Sequence, residues 1–167
     1  MTLLLRKFSK TKWQDNIDKP LTNYHADAIT GCTRTAGNTL SVWVVNNNDF
    51  GSEDIKKLIA AVALTMNQPA TVDFILLDEK KLKSKDINLS KTPGDTPFES
   101  INHLHKDIVD IDYNKLGIVS EHIVAQMAVE ANTKRITRAK LVSIVKEYLG
   151  KNYSLAQLSE KWQKALN

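Results

Sequence analysis

Residues 39–77 read TLSVWVVNNNDFGSEDIKKLIAAVALTMNQPATVDFILL and form the most regular part of the chain. Residues 42–45 are an uninterrupted β-branched and aromatic run, which is typical of a strand covered on both faces. After a polar loop, Ser52 stands where a helix can begin, and apolar residues recur at spacings of three and four over residues 55–66. Residues 72–77 form a second apolar run. The stretch therefore predicts a βαβ unit, and with it an α/β fold.

Shorter signals predict the remaining strands around this unit. Residues 28–33 precede the turn dipeptide Gly37-Asn38, which predicts a hairpin with the first strand of the unit. Residues 3–5 predict a further short strand, and residues 106–111 a short edge strand. We therefore expect a small mixed sheet of about four strands, partly parallel, with the predicted helix on one face.

Three helices are predicted after the sheet. They cover residues 112–131, 137–149 and 154–166. Asp112 and Ser154 are the expected N-caps of the first and the third, because their side-chain oxygens can accept hydrogen bonds from free backbone N–H groups. The simplest division is an α/β body, residues 1–112, followed by a helical C-terminal extension, residues 113–167, packed on or beside it.

Composition indicates an ordinary globular protein, with 42% hydrophobic and 25% charged residues. No apolar run approaches the length of a membrane span, and the three leucines at positions 3–5 are too few for the core of a signal peptide. The single cysteine, Cys32, excludes an internal disulfide framework and a cysteine-based zinc site. These features predict a cytoplasmic protein that does not engage a membrane.

The net charge of +4 is unevenly distributed along the chain. Residues 131–167 carry eight basic and two acidic side chains, whereas residues 1–130 carry 15 basic and 17 acidic ones. A basic helical segment favours contact with the phosphates of a nucleic acid, although a solvated lysine-rich surface is an equally simple explanation. The predicted contact residues are Lys134, Arg135, Arg138, Lys140 and Lys146.

His103, His105 and Asp107 form an H-x-H-x-D string, the best candidate for a metal site. On a strand all three side chains point to one face, and two imidazoles with a carboxylate are acceptable ligands for zinc, iron or manganese. A metal site needs further ligands from elsewhere in the chain, and His25, Asp27 or His122 could supply them. On a helix the side chains of the two histidines diverge and cannot share a metal ion. The segment is then a polar junction beside the proline-containing loop, with its histidines hydrogen-bonded to the backbone.

Cys32 is followed by Arg34 and preceded by His25, a set that suggests an activated thiolate. A catalytic cysteine needs a nearby cation to lower its pKa and usually an imidazole base. The spacing fits no phosphatase loop, and a half-buried cysteine is the ordinary alternative. No glycine-rich phosphate loop and no G-x-S-x-G elbow is present, so we expect no cofactor and no catalytic activity.

The last predicted helix carries an apolar stripe at spacings of three, four and four. The stripe consists of Leu155, Leu158, Trp162 and Leu166. Tryptophan is a frequent interface anchor, so the stripe can dock on a larger protein, or it can close the core of its own domain. The sequence therefore favours a non-catalytic accessory subunit or a toxin-neutralising immunity protein, then a nucleic-acid-contacting subunit, and last a metal-dependent enzyme.

Overall fold

A computed structural model describes residues 2–150 and 155–167. The strands are β1 (Leu3–Phe8), β2 (Leu40–Val45), β3 (Val72–Asp78), β4 (Asn88–Lys91), β5 (His105–Val109) and β6 (Thr133–Ile136). The helices are α1 (Lys10–Gln14), α2 (Ala26–Cys32), α3 (Glu53–Leu64), α4 (Glu79–Lys83), α5 (Tyr113–Met127), α6 (Arg138–Leu149) and α7 (Glu160–Leu166). The predicted α/β class is confirmed. None of the helices in the described ranges is long and apolar enough to cross a bilayer.

The strands form one sheet in the order β4-β5-β2-β1-β3-β6, and every hydrogen-bonded pair is antiparallel. The predicted unit β2-α3-β3 is present, and its two strands run in the same direction because both are antiparallel to β1. They are not neighbours, since β1 lies between them. The buried leucines at residues 3–5 make both faces of the first half of β1 apolar, which suits a central position.

Two apolar layers cover the sheet, and alternate residues of β1 divide between them. Leu5 belongs to the layer formed with α3, α6 and α7, whereas Leu4 belongs to the layer formed with α1, α2, α4 and α5. A doubly covered six-stranded sheet thus accounts for the apolar runs that the sequence displays.

The predicted hairpin is wrong, because residues 28–33 lie in α2 and the turn that follows it. Ala28, Ile29 and Cys32 contact the layer around Trp13, and their spacing of one and three is helical rather than alternating. The expected edge strand at residues 106–111 is β5, which lies inside the sheet because β4 pairs with its outer side. Among the described residues the sheet therefore has six strands rather than about four, and all of its hydrogen-bonded pairs are antiparallel where a partly parallel sheet was expected.

The C-terminal segment contributes helices to both faces and one strand to the sheet. α5 packs against β3 on one side, α6 packs against α3 on the other, and β6 pairs with β3 at the edge. Asp112 caps α5 as predicted, accepting a hydrogen bond from the Lys115 N–H at 2.8 Å. Ser154 lies outside the described residues, and the side chain that caps α7 is Ser159. The division at residue 112 stays a prediction.

A basic cleft at the fork between two strands

β1 pairs with β3 along its whole length but with β2 only from Leu3 to Leu5. Beyond Leu5 the two strands separate, and the Arg6 side chain lies in the gap. Its guanidinium donates to the backbone oxygen of Ser41 at 2.6 Å and to that of Cys32 at 2.7 Å. Arg6 therefore supplies hydrogen bonds to carbonyls of β2 and α2 at the point where the backbone pairing stops.

An open cavity of about 870 Å³ occupies this fork, and we call it the fork cleft. β1 and the start of β3 form one wall, while β2, β5 and the loop of residues 93–96 form the other. The end of α2 and the end of α3 close it from the two faces of the sheet. Its charged lining consists of Arg6, Lys7, Arg34, Arg135, Asp73 and Asp95.

The fork cleft carries an excess of positive charge. Four of its lining side chains are cations and two are carboxylates. Asp73 is partly engaged within the protein, since Oδ2 accepts from the Lys10 N–H at 3.0 Å, whereas the buried Oδ1 has no hydrogen-bond partner and lies 3.8 Å from Arg135 Nε. Burial lowers the pKa of Arg6 to about 10, which leaves its guanidinium protonated at neutral pH. The cleft is therefore suited to an anion.

His105 belongs to the wall of the fork cleft. Its Nδ1 lies 2.8 Å from the carbonyl oxygen of Thr92, so this nitrogen carries a proton and donates it to that bond. The ring packs edge-on against Trp43, with centroids 4.8 Å apart, and the Thr92 hydroxyl donates to Asp107 at 2.7 Å. These contacts hold His105 and Asp107 in a hydrogen-bonded arrangement with Thr92.

The structure does not assemble the predicted metal site. His103 lies in a 3-10 helix, Glu99–Leu104, and lines a different cavity from His105. His122 belongs to α5, and its buried side chain accepts a hydrogen bond from the Asp78 N–H. In the part of the chain that the structure describes, no three His, Cys, Asp or Glu side chains are grouped so that they could hold a metal ion.

The predicted thiolate site is also incomplete, because His25 is separated from Cys32 and Arg34. Cys32 and Arg34 both line the fork cleft, but His25 and Asp27 line another cavity. The Cys32 sulfur accepts a hydrogen bond from the Ser9 N–H at 3.3 Å, and His25 Nε2 lies 2.9 Å from Lys19 Nζ. His25 is therefore not in a position to act as a base for Cys32.

The predicted partner-binding stripe lies inside the protein. Leu158, Trp162 and Leu166 are buried, Leu155 is half-buried, and all four join the layer on the α3 and α6 side. The indole N–H of Trp162 donates to the Met66 carbonyl oxygen at 2.9 Å. The stripe closes the core of its own domain, so the packing argues against its use as a surface for another protein.

The predicted nucleic-acid-binding side chains are on the surface. Exposed positions are Lys134, Arg135, Arg138, Lys140 and Lys146. Only Arg135 among them lines the fork cleft, which Lys7 and Arg34 from the first quarter of the chain also line. Sequence reasoning did not find these two partners. The sequence feature that could have indicated the cleft is the basic pair Arg6-Lys7 directly after three leucines. A basic pair inside an apolar strand must face an opening or a polar environment.

No protein-family model, no curated protein and no solved structure matches this chain.

Proposed function

We propose that this protein works without catalysis, as a cytoplasmic accessory protein that binds nucleic acid through its phosphates. The observation that carries the proposal is a convergence of cations at one end of the sheet, which we call the fork end. There β1 ends at Phe8, β3 begins at Val72 and β6 ends at Ile136. Lys7 and Arg34 line the same cleft as the distant Arg135, and Arg138 lies beside that cleft through its N–H bond to Thr71.

The first turn of α6 extends this surface. Thr137 caps the helix by accepting from the Lys140 N–H, and the Arg138 N–H donates to the Thr71 hydroxyl at 3.3 Å, which places the turn beside the start of β3. Its charged residues are Arg138 and Lys140, with no acidic residue. Cations are unfavourable at the positive end of a helix dipole, whereas phosphates are favourable there. A bound polyanion would offset this cost.

Contacts of this kind recognise the backbone rather than the bases. Exposed lysines and arginines release condensed counterions when they meet phosphates, so the affinity falls steeply as salt rises. They fix the position of the nucleic acid and carry little sequence information. We therefore expect binding that is strongly dependent on salt and only weakly dependent on sequence.

The Arg135→Glu, Arg138→Glu double variant tests the proposal. We expect its affinity for a labelled oligonucleotide to fall by at least about tenfold, because two favourable phosphate contacts become repulsive. The slope of log K against log salt should become shallower by about 0.9 for each duplex phosphate contact that is lost. Fluorescence anisotropy over a range of salt concentrations measures both quantities.

Lys80→Glu, Lys81→Glu is the matched control, because it makes the same change in net charge at the opposite end of β3. All four positions are exposed, so unchanged melting temperatures should show that both variants are folded. The proposal fails if the two double variants bind equally well, or if the wild-type protein binds no oligonucleotide at low salt.

A larger protein partner is the second candidate, and Tyr113 favours it. This side chain is 90% exposed at the start of α5, next to the capping Asp112. Tyrosine is enriched at the centres of protein interfaces, where its ring is buried and its hydroxyl is hydrogen-bonded. An accessory subunit of a multiprotein complex or an immunity protein that neutralises a toxin would use such an anchor.

A pull-down of the tagged protein from its native host, with and without nuclease, separates the two candidates. For a protein partner we expect stoichiometric proteins that survive nuclease treatment and are lost with the Tyr113→Ala variant. Proteins that nuclease releases would instead support contact through nucleic acid. A set of captured proteins that Tyr113→Ala leaves unchanged would exclude Tyr113 as the anchor.

A further inference from the structure

Arg6 is a cation with no bonded counter-charge among the described residues, although the charge of Asp107 acts on it and raises its pKa. Its two Nη atoms donate to neutral backbone carbonyls, and its buried Nε has no hydrogen-bond partner. Within the described ranges no carboxylate forms an ion pair with it. Holding a positive charge away from water without an anion is costly, so such an arrangement marks a place where an anion from outside can bind.

Cations outnumber carboxylates in the lining of the cleft around Arg6, while Asp107, outside that lining, partly offsets its charge. Lys7, Arg34 and Arg135 line the same cleft, and Lys7 and Arg34 are exposed, so their side chains are free to reorient toward a ligand. Of the two lining carboxylates, Asp73 is already bonded to the Lys10 N–H. An anion that carries two charges would match the excess of two cations in the lining.

The shape of the fork cleft restricts what can enter it. β1 and β2 are hydrogen-bonded at Leu5 and Trp43, so the wedge between them is closed at its apex, where Arg6 lies. A polymer cannot pass through a closed wedge, although its end can enter. The volume of about 870 Å³ exceeds what a phosphate alone needs and can also admit the group that bears it.

We infer that the fork cleft binds a phosphate monoester, with Lys7, Arg34 and Arg135 as direct ligands and Arg6 as a fixed charge behind them. A phosphate monoester carries nearly two negative charges at neutral pH and offers three acceptor oxygens. It can come from a free mononucleotide or from the terminal phosphate of a nucleic acid. The second source rests on the function proposed above, whereas the first does not.

Two matched pairs of ligands test this inference on the full chain. One pair is a 5′-phosphorylated single-stranded oligonucleotide and the same strand with a 5′-hydroxyl. The other pair is a nucleoside 5′-monophosphate and its nucleoside, with inorganic phosphate as an additional ligand. Anisotropy competition and calorimetry give the affinities. We expect each phosphorylated ligand to bind at least about tenfold more tightly than its partner, as charge-assisted hydrogen bonds to three cations require.

Variants then locate the site. Lys7→Gln and Arg34→Gln change exposed cleft residues and should each remove most of the preference for the phosphorylated ligand while the protein stays folded. Lys80→Gln is the control, since it removes one exposed lysine outside the cleft. A preference that Lys80→Gln reduces as much as the cleft variants would overturn the inference.

The outcomes separate this inference from the proposed function. Equal binding of the phosphorylated and hydroxyl strands would overturn the phosphate monoester site and leave nucleic-acid binding in place. Cleft-dependent binding of the mononucleotide without any binding of either strand would support the site and contradict nucleic-acid binding. Absence of binding by the phosphorylated strand, the mononucleotide and inorganic phosphate would overturn the site.

Discussion

Trp162→Ala should lower the free energy of unfolding by about 3–5 kcal/mol, the range for removing a large aromatic side chain from a packed core. Trp162 has no exposed surface, and it packs with Leu158 and Leu166. The substitution also removes the hydrogen bond to the Met66 carbonyl oxygen. Since a domain of this size has only about 5–15 kcal/mol of stability, this loss is large enough to measure readily by urea denaturation.

Two further variants make the Trp162 experiment decisive. Trp162→Phe keeps most of the ring, should cost less and provides a folded protein if the alanine variant is insoluble. Lys161→Ala is the neighbouring control, and it should change stability by less than about 0.5 kcal/mol because Lys161 is exposed. A loss below about 1 kcal/mol for Trp162→Ala would mean that α7 contributes little to the core, which would restore the stripe as a candidate interface.

Acid should destabilise the protein through His122. Its Nε2 accepts a hydrogen bond from the Asp78 N–H at 3.0 Å, which requires this nitrogen to be unprotonated. Burial lowers the pKa of His122 from 6.5 to about 4, an effect that the nearby Lys81 and Lys85 reinforce and Asp78 opposes. Because the pKa of His122 is lower in the folded state, the unfolded chain binds the proton at a higher pH than the folded protein does. Protonation therefore favours unfolding as the pH falls.

The stabilisation is therefore complete above pH 6.5 and is lost as the pH falls toward 4. The loss should approach about 1.4 kcal/mol per pH unit and total about 3 kcal/mol. His122→Gln is the matched variant, because its amide oxygen can accept the same hydrogen bond without titrating. The free energy of unfolding of each protein is measured by urea denaturation over this pH range. The difference between the wild type and the variant gives the contribution of His122, because the carboxylates contribute equally to both. Parallel pH profiles for the two proteins would contradict the assignment.

The unit β2-α3-β3 was predictable because each of its elements carries a long, regular pattern. The errors fall on short segments. The A-I-T-G-C sequence within α2 is too short to distinguish a helical from an alternating period, and contact with Trp13 selects the helix. β4 and β6 are polar edge strands of four residues, whose pairing depends on the neighbour rather than on their own sequence.

The fork cleft could not be predicted, because it arises where β1 stops pairing with β2 but continues to pair with β3. The basic character of Arg6, Lys7 and Arg34 is visible in the sequence, but nothing local indicates that β1 leaves β2 after Leu5. The approach of Arg135 to the cleft depends on the pairing of β6 with β3. The partner-binding role of the stripe around Trp162 stays a prediction, which the burial of the stripe disfavours. An apolar helix face has the same sequence pattern whether it covers its own core or a partner.

The position of β1 has a consequence for folding kinetics. Leu3 pairs with Val45 on one side and with Asp78 on the other, so the central strand forms contacts mainly with residues far along the chain. High contact order slows folding, and during synthesis β1 emerges well before either neighbour. Until β3 has been made, the apolar β1 keeps at least one open edge that is exposed to other chains. Nascent chains that stall before residue 78 should therefore be the species most prone to aggregate and most dependent on chaperones.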